Sequence, residues 1–293
     1  MIPPAFEYLR PKTIPEAIAL LEQHGDEAKI ISGGQSLIPM MKLRLARPGF
    51  LVDINRIPNL DYVKEEDGFL KIGALAREAD LHKSELIKSK YPILRDTVAV
   101  IADPQVRNLA TLAGNLAHGD PANDHPATML ALGASIVATG PHGERVVPVA
   151  EFFLSLFSTA LEPNEVLTEL RIPIPPDGSG GAYVKVERKV SDFATAAVAA
   201  QLTLDSSGTV TYAGIGVTNV GPKPLKAKPA EEFLIGKKPD DTTFTHAAQL
   251  ASEDCEPSAD LRGPAEYKRG LVKELTRRAL ALAAQRAGSK ESK

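Results

Sequence analysis

The stretch IISGGQSLIPMMKLRL, residues 30–45, decides how the chain is read. Two β-branched residues, Ile30 and Ile31, close a short apolar segment, AKIIS, that reads as a buried strand. Small and polar residues at 32–36 then intervene before the apolar run resumes at Leu37. Glycine at 33 and 34 admits left-handed or tight backbone and removes the Cβ that would keep a ligand away. Successive backbone N–H groups in such a turn form an anion-binding concavity. Gln35 and Ser36 add side-chain donors and acceptors. A diphosphate needs this chemistry. The turn matches neither G-x-G-x-x-G nor G-x-x-x-x-G-K-[ST], so the Rossmann and P-loop readings lack their motif. Taken alone, an ordinary tight turn is the simpler reading.

Working outward, TIPEAIALLEQHG (residues 13–25) predicts a helix with Thr13 as N-cap, Pro15 and Glu16 in the first turn, and Gly25 after its end. Its inner stripe is expected at Ala17, Leu20, Leu21 and His24. FLVDINRI and FLKIGAL read as strands, with the polar EEDG between them as a turn. EADLHKSELIKSKYPILRDTVAVI has helical periodicity broken at Pro92. TMLALGASIVATG begins as helix, stops at Gly133 and continues as strand, and NEVLTELRIPIP is a strand. IPIPPDGSGGAY is rich in Pro and Gly and reads as a linker, with a boundary near 177. Beyond it come a strand in AYVKVERK, a hairpin turning at 205–208 and two helices, DDTTFTHAAQLASE and GPAEYKRGLVKELTRRALALAAQRAG. The tail SKESK is expected to fray. Strands and helices do not alternate strictly, which argues against a doubly wound parallel sheet and for an α+β chain.

With 293 residues there is room for two domains. A net charge of −3 gives no reason to expect nucleic acid or an anionic membrane as partner. No apolar run approaches the ~20 residues of a membrane span, and the N-terminus lacks a signal-peptide layout. The single cysteine, Cys255, can form no internal disulfide and cannot supply the thiolates of an iron–sulfur cluster, so any such cluster sits on another chain. Acidic neighbours in EDCEPS make it a poor nucleophile. The cytoplasm is the expected compartment.

A second candidate is NLATLAGNLAHGDPANDHPA, from Asn108, a long polar stretch between apolar segments. Thr111 and Asn115 can bond phosphate or ribose, and Gly114 permits close approach. Asp124 either accepts from ribose hydroxyls or caps the following helix, which His125 and Pro126 enter. The same stretch holds His118, Asp120, Asp124 and His125, but their spacing matches no metal motif, and no metal is expected. No G-x-S-x-G anchors a hydrolytic triad. In the third candidate, AYVKVERKVSDFATAAVA, alternation points Tyr183, Lys185 and Glu187 the same way. Lys185 is there either a solvated lysine or a cation facing an anionic cofactor.

SGGQSLIPMMKLRLARP, LVDINRIPNL, IADPQVRNLATLAGNLAHGDPANDHPA and VKVERKVSDFATAAVA, in this order over nearly the whole chain, together resemble the FAD-binding medium subunit of molybdenum hydroxylases. That family includes the middle chain of aerobic carbon monoxide dehydrogenases and the flavin domain of xanthine dehydrogenase. The resemblance implies a p-cresol methylhydroxylase-type (vanillyl-alcohol oxidase-type) two-lobed FAD domain at 1–177, with lobes of about 1–57 and 58–177. A smaller α+β domain of the carbon monoxide dehydrogenase flavoprotein type would follow at 178–293. It implies that Lys29, Ile31, Ser32, Gly33, Gly34, Gln35, Ser36 and Leu37 wrap the FAD diphosphate, and that Thr111, Ala113, Gly114 and Asn115 complete the cradle. Relatives usually carry T-[IL]-G-G-[ND] there, so Ala113 departs from the pattern, which leaves room for a slightly different turn. Asp124 would contact the adenosine side, Ala102 the flavin region through its backbone, Leu167 the cofactor through apolar contact, and Lys185 the cofactor as a polar group, where a cation would favour the reduced flavin. The chain would carry no catalytic acid or base. Electrons would arrive from a small [2Fe–2S] subunit, after substrate oxidation on a large molybdopterin subunit, and leave through FAD to an external acceptor in a dimer of heterotrimers. The alternative is a stand-alone flavin oxidoreductase of the same fold, which needs an acid or base beside the ring. A structural subunit that has lost its flavin would purify colourless.

Overall fold

The computed structural model describes residues 1–288, so the tail at 289–293 lies outside the described residues. The first sheet is parallel and three-stranded: Phe50–Asp53 lies between Glu7–Leu9 and Ala28–Ile31. The helix Ile14–His24 covers it. Thr13 Oγ1 accepts from the Glu16 N–H at 3.2 Å, and Glu16 Oε2 accepts from the Lys12 N–H at 2.7 Å, so the helix start is fixed from both sides. The buried stripe is Ala17, Ile18 and Leu21. Leu20 is half-buried against the same core and His24 stacks on Phe50 with ring centroids 3.7 Å apart, so the expected stripe faces the core with Ile18 added to it.

The second sheet is antiparallel and five-stranded, in the order Val63–Glu66, Phe69–Gly73, Val166–Pro173, Ser135–Gly140, Gly143–Pro148. Its edge strand Val63–Glu66 corrects the sequence reading. Two of the residues assigned to a turn, Glu65 and Glu66, pair with Leu70 and Phe69 in a hairpin around Asp67 and Gly68. Polar residues on an edge strand carry no apolar alternation to detect. Between the sheets' strands, the helical stretch divides into Glu78–Lys83, Glu85–Lys90 and Pro92–Ala99. The break before Pro92 is where proline predicts it. A further break falls at Ser84, whose Oγ caps the second helix by accepting from the Ile87 N–H at 3.3 Å.

Ser179–Glu187, Ala194–Leu204, Val210–Thr218 and Leu225–Lys226 form an antiparallel four-stranded sheet, with the expected hairpin at 205–208. The helices Asp241–Glu253 and Ala265–Gly288 pack with it around one apolar core, which also encloses Cys255. The short helix His125–Ala131, buried along its whole length, joins this sheet to the first part of the chain. Tyr212 donates to the Ala131 carbonyl at 2.9 Å, and Thr218 Oγ1 donates to the Asn123 and Pro121 carbonyls at 2.5 and 3.1 Å. These bonds hold the segment 121–131 against strand Val210–Thr218 and so fix Asp124 in space.

Candidate cofactor site

A cavity of about 590 Å³ opens where the parallel sheet, the long polar stretch and strand Val166–Pro173 meet. Its size lies within the range of small-molecule and cofactor sites. Lys29, Ile31 and all of residues 32–37 line one wall, and Thr111, Ala113, Gly114 and Asn115 line the facing one. Ala102, Asp124 and Leu167 complete the set nominated from sequence. Lys185 alone among the nominated residues stands outside the lining.

The two walls touch. Ser32 Oγ and Thr111 Oγ1 are 3.2 Å apart, across 79 residues of sequence. Thr111 also N-caps the helix Leu112–Ala117, accepting from the Gly114 N–H at 3.0 Å. Ala113 therefore sits in the first turn of a capped helix. The two glycines of 32–36 do different work. Gly34 holds φ +70°, a left-handed turn that a side chain disfavours. Gly33 is a close-approach position: an added Cβ would overlap the Leu109 carbonyl oxygen and lie 2.8 Å from Ala110 Cα.

The donor set suits FAD. At the start of Leu37–Lys42 the Ile38 N–H is taken by the Gly34 carbonyl at 3.0 Å and Pro39 has no N–H, so helix geometry leaves the Leu37 N–H without an intrahelical acceptor, and hydroxyls of Ser32, Ser36 and Thr111 line the same cavity. Asn115 Oδ1 is buried and without a partner, an acceptor in the cavity wall that a ribose hydroxyl or adenine amine would satisfy. Ala102 holds φ +44°, a strained conformation for alanine. Its carbonyl is held by Arg107 Nη1 at 2.8 Å and Ser191 Oγ at 2.9 Å, which keeps this peptide in place at the cavity edge.

Asp124 is not the helix cap that one reading allowed. It precedes His125–Ala131 but its side chain makes no capping bond. Oδ1 accepts from the Tyr183 hydroxyl at 2.5 Å, and Oδ2 accepts from Lys185 Nζ at 3.1 Å. Tyr183 and Lys185 thus share a face, as the strand alternation requires. The Lys185 side chain is 2% exposed, so the solvated-lysine alternative fails. It donates to the Val100 carbonyl at 3.2 Å, and Glu187 Oε2 lies 3.3 Å from its Nζ. The ammonium is thereby matched by two carboxylates and backs the cavity wall rather than presenting free charge to it. Burial pushes the Asp124 carboxyl above its ordinary range, against the opposing pull of Lys185 and of the Tyr183 hydrogen bond. Burial likewise pushes the Tyr183 phenol well up, with the Asp124 charge adding to it.

The remaining members of the His/Asp stretch disperse to separate partners. His118 packs on Phe157, Asp120 Oδ1 accepts from the Ala122 N–H at 2.8 Å, and His125 Nε2 lies 2.9 Å from both Glu78 oxygens. Residues that the sequence does not single out also line the cavity, among them Glu78, Ser191, Asp192 and Phe193, and so does His118, which the sequence offers only as a candidate metal ligand. Phe193, at 46% exposure, presents an aromatic ring there, backed by the Arg262 guanidinium 5.8 Å from the ring centre. An aromatic beside the conspicuous VERK strand was the available signal.

Comparison with known proteins agrees with this geometry. Residues 4–175 match the family described as FAD binding domain in molybdopterin dehydrogenase, and residues 181–283 match the carbon monoxide dehydrogenase flavoprotein C-terminal domain. The carbon monoxide dehydrogenase medium chain of Hydrogenophaga pseudoflava is 46% identical over 280 residues, which cover 96% of this chain and 97% of that one. The corresponding medium chain of Afipia carboxidovorans is 45% identical, covering 98% of this chain and 99% of that one. A solved structure of the Hydrogenophaga pseudoflava carbon monoxide dehydrogenase, in a form lacking the Mo-pyranopterin moiety, superposes with a TM-score of 0.95 at 48% identity, over 98% of this chain and 99% of that one. With both domains matched in order and relatives aligned from end to end, the chain belongs to the family of FAD-binding medium subunits of molybdopterin-dependent dehydrogenases.

Proposed function

We propose that the chain binds FAD in the 590 Å³ cavity and is the electron outlet of a molybdenum hydroxylase complex. A small [2Fe–2S] subunit delivers electrons, a large molybdopterin subunit oxidises the substrate, and an external acceptor takes the electrons away. The assembly is a dimer of heterotrimers in the cytoplasm. Among the described residues no helix is long and apolar enough to cross a membrane. The observation that carries the reading is the contact of turn 32–36 with the Thr111 cap around one cavity, with the buried Asn115 oxygen left unpartnered.

In this reading residues 32–37 and 111–115 bind the diphosphate and the adjoining ribose through main-chain N–H groups and hydroxyls. Asp124, gripped by Tyr183 and Lys185, faces the adenosine side. Ala102, Leu167 and Phe193 border the ring region. FAD supplies exchange of single electrons on one side and of pairs on the other, while the protein supplies position and electrostatics. The division at about 177 follows. Residues 1–57, with the parallel sheet, and 58–177, with the antiparallel sheet, are the two lobes of a p-cresol methylhydroxylase-type domain, and 178–293 form the C-terminal domain. Support for the lobes comes from their separate sheets, which pack together where Leu75 and Val166 meet Ala17, Leu21 and Val52.

The test is purification of the tagged chain from its native source, with flavin and metal analysis. The expected result is a yellow complex with released FAD, a small cysteine-rich chain and a molybdenum-bearing large chain. A colourless chain with neither partner would sink the proposal. Substrate turnover by the yellow chain alone would replace it with the stand-alone oxidoreductase.

A further inference from the structure

The two turns that line the cavity meet directly at few atoms: the Ser32–Thr111 hydroxyl pair and the backbone approach at Gly33. A second connection runs behind them. Asn55 Nδ2 donates to the Ser32 carbonyl at 2.7 Å. Arg77 Nη2 donates to Asn55 Oδ1 at 2.5 Å, and Arg77 Nη1 donates to the Leu109 carbonyl. Neither side chain lines the cavity. The two carbonyls they hold are telling ones. Ser32 carries the hydroxyl that meets Thr111, and the Leu109 oxygen is the atom that a Cβ on Gly33 would strike.

Both links are anchored independently. The Asn55 N–H and Nδ2 donate to Asp53 Oδ1 at 2.9 and 2.6 Å, and Asp53 Oδ2 accepts from the Tyr8 hydroxyl. Arg77 pairs backbone to backbone with Thr111, and the Glu78 N–H donates to the Ala110 carbonyl at 3.0 Å. The chemistry of each position is restrictive. The middle link must donate and accept at once, which a side-chain amide does. The outer link must reach two oxygens from one rigid planar group, which a guanidinium does and an ammonium on a flexible stem does less well.

We propose that Asn55 and Arg77 are positioning residues for FAD: one relay, from the Ser32 carbonyl through both side chains to the Leu109 carbonyl, sets the spacing of the two cofactor turns. This rests on the FAD reading above and adds to it two residues outside the cavity, with a shared role.

The full chain, freed of FAD, is titrated with FAD by quenching of flavin fluorescence, and the unfolding midpoint of the FAD-free protein is measured in parallel. Asn55→Ala and Arg77→Met are each expected to weaken FAD binding about ten-fold, the scale of one lost hydrogen bond to a held group. The double variant is expected to match the weaker single variant rather than reach about a hundred-fold, because each change severs the same relay. Arg77→Lys keeps the charge and one donor, and its affinity is expected between wild type and Arg77→Met. A merely structural contribution would lower the unfolding midpoint and leave the two FAD losses independent. If Arg77→Met does not fold, Asn55→Ala and Arg77→Lys make the same cycle. Unchanged affinities, or losses that multiply, overturn the relay while the FAD reading stands. Wild-type protein that takes up no FAD overturns both.

Discussion

A Gly33→Ala chain is expected to fold and yet to purify without FAD, its affinity lowered by more than about a hundred-fold, or roughly 3 kcal/mol. The added Cβ would overlap the Leu109 carbonyl oxygen, sit 2.8 Å from Ala110 Cα and 3.0 Å from the Leu109 carbonyl carbon. These are backbone atoms, which cannot rotate aside as a side chain can, so overpacking here costs about 1–3 kcal/mol in displacement of one turn from the other. Displacement then spreads to the Ser32–Thr111 contact and the Asn55 bond to Ser32, with about 0.5–1.5 kcal/mol for each such hydrogen bond weakened. The C-terminal core, built on a separate sheet, is untouched. Gly34→Ala is the control. Its Cβ would meet the ends of the Ile38 and Ile31 side chains, which can shift, so its cost is chiefly the φ of +70° and about 1 kcal/mol. Equilibrium titration with FAD separates the two. A Gly33→Ala affinity within about three-fold of wild type, well under 1 kcal/mol, would show that the turns need not touch.

The contrast between these two glycines shows what could be read without coordinates. Glycine and hydroxyl chemistry in one short segment marks 32–36 as a tight turn that could face a ligand, because it depends on near neighbours in sequence, whereas Thr111 stands out there only as a partner for phosphate or ribose and not as the cap it is. The reason for Gly33 is not local, since the atom it makes room for lies on another segment, at Leu109. Asp124 illustrates the same limit. Local pattern offered helix capping, while the side chain is claimed by Tyr183, 59 residues away, and by Lys185. Asn55 stood in plain view within LVDINRIPNL, but its use depends on Arg77, 22 residues later, and on Ser32, 23 earlier. Strand Val63–Glu66 was hidden for a different reason: it is an edge with acids where alternation would be sought. Periodicity reports burial, and an exposed edge has little to report. The Tyr183–Lys185 pairing on one face is the converse case, because period-two geometry is local and carries across distance once the strand is placed.

Lys185→Met gives the second large effect, and its sign with pH distinguishes the cause. In the wild type the buried Asp124 carboxylate, with Glu187 beside it, is matched by a lysine whose side chain is 2% exposed. Removing one partner of a buried pair leaves an uncompensated charge, at about 3–5 kcal/mol. The FAD-free Lys185→Met chain is therefore expected to lose stability of that order at pH 7, measured by urea unfolding without ligand so that FAD binding adds nothing. Burial already raises the Asp124 carboxyl in the folded wild type, and Lys185 opposes that rise. Without the lysine the folded value climbs further. A raised carboxyl favours folding fully below the unfolded value of about 3.9 and loses that contribution as pH rises through the folded value. Lowering the pH from 7 to 5 should thus return stability to the variant, by protonating Asp124 in place, and return less to the wild type. Adding Asp124→Asn to Lys185→Met removes the Asp124 charge, keeps an acceptor for the Tyr183 hydroxyl, and should recover most of the loss at pH 7 and abolish the pH trend that Asp124 sets, leaving only the contribution of Glu187, whose Oε2 lies 3.3 Å from Lys185 Nζ in the wild type. Persistence of the full deficit at pH 5, or a double variant no more stable than Lys185→Met, would mean that Lys185 stabilises by packing its stem and by its bond to the Val100 carbonyl instead.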